Sequence, residues 1–141
     1  MHNENAQQTQ CIIGNNRMKE TKDNIIAQKS MAFSIRIVKL YKFLKENKRE
    51  DCISKQIFRS GTSIGANVRE AIRGQSKADF RAKMSISLKE ASETEYWIDL
   101  LKATDYISND AARSLQEDCV ELIKLLTAII KKTQSGDDVH V

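Results

Sequence analysis

Proline is absent from this 141-residue chain, and glycine occurs only five times. Helix interiors exclude proline, and a β-rich domain of this length would ordinarily need more turn residues, so the composition points to an all-helical protein. Both histidines, His2 and His140, fall in the terminal segments, which takes the commonest metal ligand and general base out of the body of the chain. The three cysteines, Cys11, Cys52 and Cys119, are odd in number, far apart and without a CxxC pair. They are read as reduced thiols of a cytoplasmic protein rather than as zinc or dithiol ligands. No apolar run approaches the roughly 20 residues that span a bilayer, and the first residues are polar rather than signal-like, so no membrane partner is expected.

Catalytic signatures are missing as well. There is no phosphate-binding loop, nucleophile elbow or dinucleotide fingerprint. Glu90 and Glu93, close to Tyr96 and Trp97, superficially resemble the carboxylates of di-iron bundles, but those sites need a Glu-x-x-His pattern on two helices. The glutamates and the neighbouring Lys83 and Lys89 read more simply as helix-surface ion pairs. The expectation is a protein that is not an enzyme and uses no cofactor or metal.

What is present is helical periodicity. The most informative run is Gln56 to Arg73, QIFRSGTSIGANVREAIR. Ile53, Ile57, Ile64, Val68 and Ile72 fall on one side of a helix and predict a core face. Gly61 and Gly65 stand four apart inside the same helix, where each costs about 1 kcal/mol relative to alanine. Close approach of another helix would offset that cost, because small residues at this spacing let two backbones come together. Gln56, Ser60, Ser63, Asn67 and Glu70 form a second, polar face. It could be a buried hydrogen-bonded seam, a rim around a binding surface, or a row of side chains pointing at water.

Residues 1–23 are polar with little apolar periodicity and predict a disordered leader, with Met18 an alternative translation start to Met1; residues 135–141 predict a short flexible tail. Between them, residues 24–134 predict one domain of four helices. The first runs from about Asn24 to Asn47, with Phe33, Ile37, Leu40 and Leu44 on one stripe and Met31, Ile35 and Val38 on another, so that two surfaces are available for burial. The second covers about Asp51 to Arg73 and is expected to stop at Gly74 as a left-handed C′ residue. Ser76 predicts an N-cap serving the amide near Asp79. The third helix continues to about Lys102 with Phe80, Met84, Leu88, Ala91 and Ile98 inward. The fourth, about Ser108 to Lys132, places Leu115, Cys119, Leu122, Leu126 and Ile129 at the seam spacing of packed bundles. Short connections between long amphipathic helices predict an antiparallel up-and-down four-helix bundle.

SGTSIGANVREA in the second helix, SKADF at the start of the third and SLKEASETEYWIDLL along it resemble the signature of the four-helix bundle family that includes the 23S rRNA intervening-sequence proteins. The resemblance covers about Lys29 to Thr133. More distantly, the chain is similar to the accessory variability determinants of diversity-generating retroelements. The resemblance implies a homopentameric ring of bundles with a basic surface and no known catalysis. It also implies partners that include RNA or DNA and, by analogy with the retroelement accessory, a reverse-transcriptase-like or other protein.

Charge is distributed unevenly enough to bear on that expectation. The chain carries a formal net charge of +4, yet Asn24 to Glu50 alone holds seven basic residues against Glu46 and Glu50. Lys29, Arg36 and Lys39 lie on one side of the first helix with Lys42 further round, and Arg59, Arg69 and Arg73 lie on the second. These seven are the candidate nucleic-acid contacts, since phosphate binding needs clustered positive charge and no base-reading motif, and fivefold repetition would strengthen the field. The alternative is a merely solvated face. Ser60, Gly61, Ser63, Gly65, Asn67 and Glu70 are the candidate packing residues. Trp97, off the core stripe of the third helix, is the candidate anchor of a subunit interface, or else covers the edge of the bundle.

Overall fold

Four stripes of apolar side chains, each repeating every three or four residues, bury themselves against one another as four helices. The computed structural model describes residues 22–138; the predicted leader, apart from its last two residues, and the last three residues of the tail lie outside that range. The helices are α1 (Lys22–Asn47), α2 (Ile53–Ile72), α3 (Lys77–Ala103) and α4 (Asn109–Asp138). No strand occurs among the described residues. Each helix packs on its neighbours in chain order, α4 closes on α1, and the diagonal pairs do not meet. That is the up-and-down arrangement short connections dictate. None of these helices is long and apolar enough to cross a membrane.

The core follows the predicted stripes closely. Phe33, Ile37 and Leu44 of α1, Ile57, Ile64 and Val68 of α2, Met84, Ala91 and Ile98 of α3, and Leu115, Cys119, Leu122, Leu126 and Ile129 of α4 are all buried. Leu40, Ile53, Phe80 and Leu88 are partly buried against them. Ile72 departs from the expectation: it sits in the last turn of α2 and is 40% exposed, while Ala71 beside it takes the buried position. Met31 and Ile35, on the second stripe of α1, are also exposed.

The turns explain where the helices stop. Ser76 is in extended conformation and its hydroxyl accepts from the Asp79 N–H at 3.0 Å, as an N-cap should. Gly74 is not in the left-handed region predicted for it, since no described glycine has positive φ. Its role is steric: a Cβ at this position would run into the Asp79 carboxylate and stand 3.1 Å from the Ala71 carbonyl. The left-handed positions are taken instead by Arg49 (φ 51°) and Asp105 (φ 64°). At Asp105 the end of α3 is a Schellman motif: the Asp105 N–H donates to the Lys102 carbonyl (3.1 Å) and the Tyr106 N–H to that of Leu101 (3.0 Å).

The glycines of α2 mark the closest approach to α1. A Cβ on Gly61 would stand 2.7 Å from Ile37 Cγ1, and one on Gly65 would stand 3.3 Å from Ser34 Oγ and 3.4 Å from the Ser30 carbonyl. Gly61 therefore makes room for a core isoleucine, whereas Gly65 faces the serines and backbone of α1. This accounts for two poor helix formers in the middle of α2.

Candidate nucleic-acid interface

A basic side chain can hold phosphate only if its charge is not already neutralised by a neighbour. Lys29 of α1 lies 2.5 Å from Glu121 of α4. Arg36, two turns further on, forms a 2.6 Å pair with Asp118, and its guanidinium also donates to the Ser114 carbonyl and hydroxyl at 3.2 and 2.9 Å. Arg59 of α2 reaches Glu90 at 3.1 Å and pairs with Glu93 on α3. Hydrogen bonding to Arg59 holds the Glu93 carboxyl below the ordinary glutamate range. Three of the seven candidate cations are thus engaged within the bundle.

The other four are exposed and make no ion pair among the described residues, but they do not form one patch. Because α1 and α2 run antiparallel, Arg69 and Arg73 stand beside the start of α1, whereas Lys39 and Lys42 are near its end. Arg69 and Arg73 line a cavity of about 1060 Å³ that also takes in Glu70, Asp79 and Lys83. Glu70 lies 3.0 Å from Lys83 there, and this hydrogen bond raises the lysine's pKa. Positive charge at that end is therefore diluted by carboxylates.

At the opposite end the balance differs. Lys39 and Lys42 are joined by Lys48, Arg49 and Lys55, all exposed and without an ion pair among the described residues. Lys45 lies over the Tyr41 ring at 5.2 Å from its centre. Of the acids in the same stretch, Glu46 and Asp51 are exposed and Glu50 is buried. Its carboxylate accepts from the N–H groups of Cys52 (2.8 Å), Ile53 (2.7 Å) and Ser54 (2.7 Å), while the Ser54 hydroxyl donates back to the Glu50 carbonyl at 3.0 Å. That reciprocal cap closes the start of α2 and takes up the negative charge on its orphan amides. Sequence reasoning selected Lys39 and Lys42 but missed Lys48, Arg49 and Lys55, which no helical periodicity groups together. The signal that could have found them was the Glu-x-x-x-Ser spacing at 50 and 54.

The candidate packing residues divide in the same way. Ser60 is fully buried against α3, with Thr94 Oγ1 2.9 Å from its hydroxyl. Thr94 also donates to the Glu90 carbonyl at 2.8 Å, so with one proton per hydroxyl Ser60 donates to Thr94. Ser87, also buried, donates to the Ile64 carbonyl at 2.8 Å. Ser63 and Asn67 turn back on their own helix, donating to the carbonyls of Arg59 and Ser63, and Gln56 is exposed. The polar face is thus a buried seam at Ser60 alone, completed by α3 hydroxyls that sequence reasoning did not name. Trp97 is half-buried; its indole N–H donates to Glu93 at 3.2 Å, and its ring meets Tyr96 edge-on with centroids 5.0 Å apart.

The described residues contain no group of three or more His, Cys, Asp or Glu placed to hold a metal. Cys119 is buried, and burial, reinforced by Glu95, Asp118 and Asp99, pushes its thiol up to about 12, away from the range in which a thiolate forms at neutral pH.

Residues 22–128 match the family described as 23S rRNA-intervening sequence protein. Among solved structures, the chain is similar to a protein with unknown function from the S23 ribosomal protein family of Bacteroides thetaiotaomicron. The two are 55% identical, the match covers 79% of this chain and 99% of that one, and the TM-score is 0.78. A comparison with curated proteins finds no match.

Proposed function

This chain belongs to the 23S rRNA-intervening sequence protein family, and from that premise we propose a non-catalytic, homo-oligomeric protein that holds nucleic acid by its phosphate backbone. The observation that carries the reading is the separation of charge along the bundle. Lys29, Arg36 and Arg59 are engaged with carboxylates, while Lys39, Lys42, Lys48, Arg49 and Lys55, on the second half of α1, the turn after it and the start of α2, are exposed, with Glu46 and Asp51 exposed among them and Glu50 withdrawn into a helix cap. Those five are available for phosphate. A cyclic assembly, pentameric on the analogy of the wider group, would set several copies of that region side by side and raise the local potential. Nothing among the described residues is suited to reading a particular sequence through a duplex groove, so on this reading contact with RNA or DNA is by backbone.

A second reading, a scaffold that docks another protein, draws on a different feature. Met31 and Ile35 are exposed, at 46% and 50%, along α1, and Met31 borders the large groove that Gly65 and Ala66 leave open beside α2. Covering that face with another copy of the chain serves the first reading equally well.

The test is fluorescence anisotropy of the purified protein with labelled structured RNA and duplex DNA across a salt series. Affinity should fall steeply with salt, and the double change Lys39→Glu, Lys42→Glu should flatten the dependence by about one unit of log–log slope for each phosphate that is no longer neutralised. Lys29→Gln should leave it unchanged. Absence of binding even at low salt would overturn the nucleic-acid reading in favour of the scaffold. Light scattering of the same samples gives the oligomer mass.

A further inference from the structure

The geometry points to a nucleobase pocket at the basic end of the bundle, so that the ligand class is single-stranded nucleic acid with an unpaired base; this rests on the backbone-binding reading above. A cavity of about 690 Å³ opens between the end of α1 and the turn joining α3 to α4, which is within the size range of small-molecule sites. Leu40 and Ile107 give it apolar surface, and two aromatic rings, Phe43 and Tyr106, line it. Phe43 is 40% exposed. The two rings border one cavity, yet the ring contacts of the described residues are Tyr41 with Phe58 and Tyr96 with Trp97. Phe43 and Tyr106 therefore make no ring contact with each other, and the exposed Phe43 ring is not covered by the tyrosine.

Both rings are held by rigid backbone. Phe43 is on α1, four residues after Lys39 and so on the same side of the helix. Tyr106 is the C″ residue of the Schellman motif at the end of α3, its N–H fixed to the Leu101 carbonyl at 3.0 Å. Lys48 lines the same cavity, as do Asp105 and Asn109. A base stacking on the exposed Phe43 ring would find an amide and a carboxylate for its edge, while its phosphates would meet Lys48. Aromatic faces beside a cationic track are what non-sequence-specific single-strand binding needs, and an A- or B-form duplex offers no free base to such a site.

The experiment uses the full-length protein with a fluorescent-base oligonucleotide, a single strand carrying 2-aminopurine, and with the duplex of the same sequence. Stacking on Phe43 should change the emission of the single strand on binding, and Phe43→Ala should weaken single-strand affinity about tenfold while leaving duplex affinity and oligomer mass unchanged. Phe43→Tyr should restore it. If single strand and duplex bind alike and Phe43→Ala affects neither, the pocket is overturned while backbone binding stands. If Phe43→Ala lowers the oligomer mass instead, Phe43 belongs to an interface between copies and the pocket is overturned. If neither form binds at low salt, both readings fall together.

Discussion

The seam between α2 and α3 and the seam between α1 and α4 are both crossed by polar groups, but they are held in opposite ways. Between α2 and α3 the hydroxyls of Ser60, Ser87 and Thr94 are fully buried and bonded to each other or to backbone carbonyls. Between α1 and α4 the bonds come from half-exposed cations, Lys29 paired with Glu121 and Arg36 paired with Asp118 and also donating to Ser114. The first kind of bond is worth little net until one partner is removed, when the survivor is left buried and unsatisfied. The second is screened by salt and contributes at most about 1 kcal/mol a pair. A bundle built this way is tight on the α1–α2–α3 side and looser where α4 closes on α1.

The largest effect should come from breaking the tight side. Gly61→Leu places side-chain atoms where Ile37 already stands, and should destabilise by about 3 kcal/mol, read as a fall in the urea midpoint with an unchanged slope. Gly65→Ala is the contrast. Its Cβ meets Ser34 Oγ and the Ser30 carbonyl at ordinary to slightly tight distances, and about 1 kcal/mol of helix propensity offsets the adjustment. That variant should melt within a few degrees of the parent. A large loss at Gly65 with none at Gly61 would show that the serine face, not Ile37, sets the interhelical distance.

Next comes the buried hydroxyl pair. Thr94→Val removes the acceptor of Ser60 and should cost about 1 kcal/mol, and adding Ser60→Ala should recover much of it, because two apolar groups satisfy one another where one hydroxyl cannot. Additive losses in that double-mutant cycle would mean the two hydroxyls do not interact.

Much of this architecture is legible in the residues, and the limits of that legibility are physical. Every α4 seam residue expected from the alternating spacing, Leu115 to Ile129, is buried, because amphipathic periodicity is a property of one helix and needs no knowledge of its neighbour. Ser76 capping Asp79 is equally local. The fate of the cations is not legible. Arg36 meets a carboxylate 82 residues away, and Arg59 meets Glu90, 31 residues on, so whether a basic residue is free depends on which helices become neighbours and in what register. Gly74 shows the same limit on a smaller scale. Its position after α2 marks the stop that the sequence predicts, but its reason, space for the Asp79 carboxylate, lies in the next helix. Lys48, Arg49 and Lys55 come to flank one turn only when Glu50 folds into the cap of α2.

The α1–α4 seam should answer more weakly, and only at low salt. Arg36→Met keeps the apolar part of the side chain and removes its pair with Asp118 and its bonds to Ser114. The expected loss is about 0.5–1 kcal/mol in low-salt buffer, shrinking as salt is raised. A salt-independent loss would mean that Arg36 acts by packing its stem, and that this seam resembles the other more than its ion pairs imply.

The smallest effect should be the acid response of the pair that joins α2 to α3 from outside. Hydrogen bonds from Arg59 first, then from the Trp97 indole, keep the Glu93 carboxyl below the ordinary glutamate range. A carboxyl lowered in the folded state contributes stability that is present above its unfolded value and is lost as pH falls through the lowered one. The acid limb of the melting temperature should therefore include a step below the usual glutamate range that Glu93→Gln removes. Since both side chains are partly exposed, at 49% and 35%, solvent screening keeps this step to a few tenths of a kcal/mol. At neutral pH the substitution should hardly move the melting point. If it instead produced a loss as large as Thr94→Val, the α2–α3 seam would extend to its exposed rim, and the contrast between buried hydroxyls and surface ion pairs would have to be redrawn around Arg59.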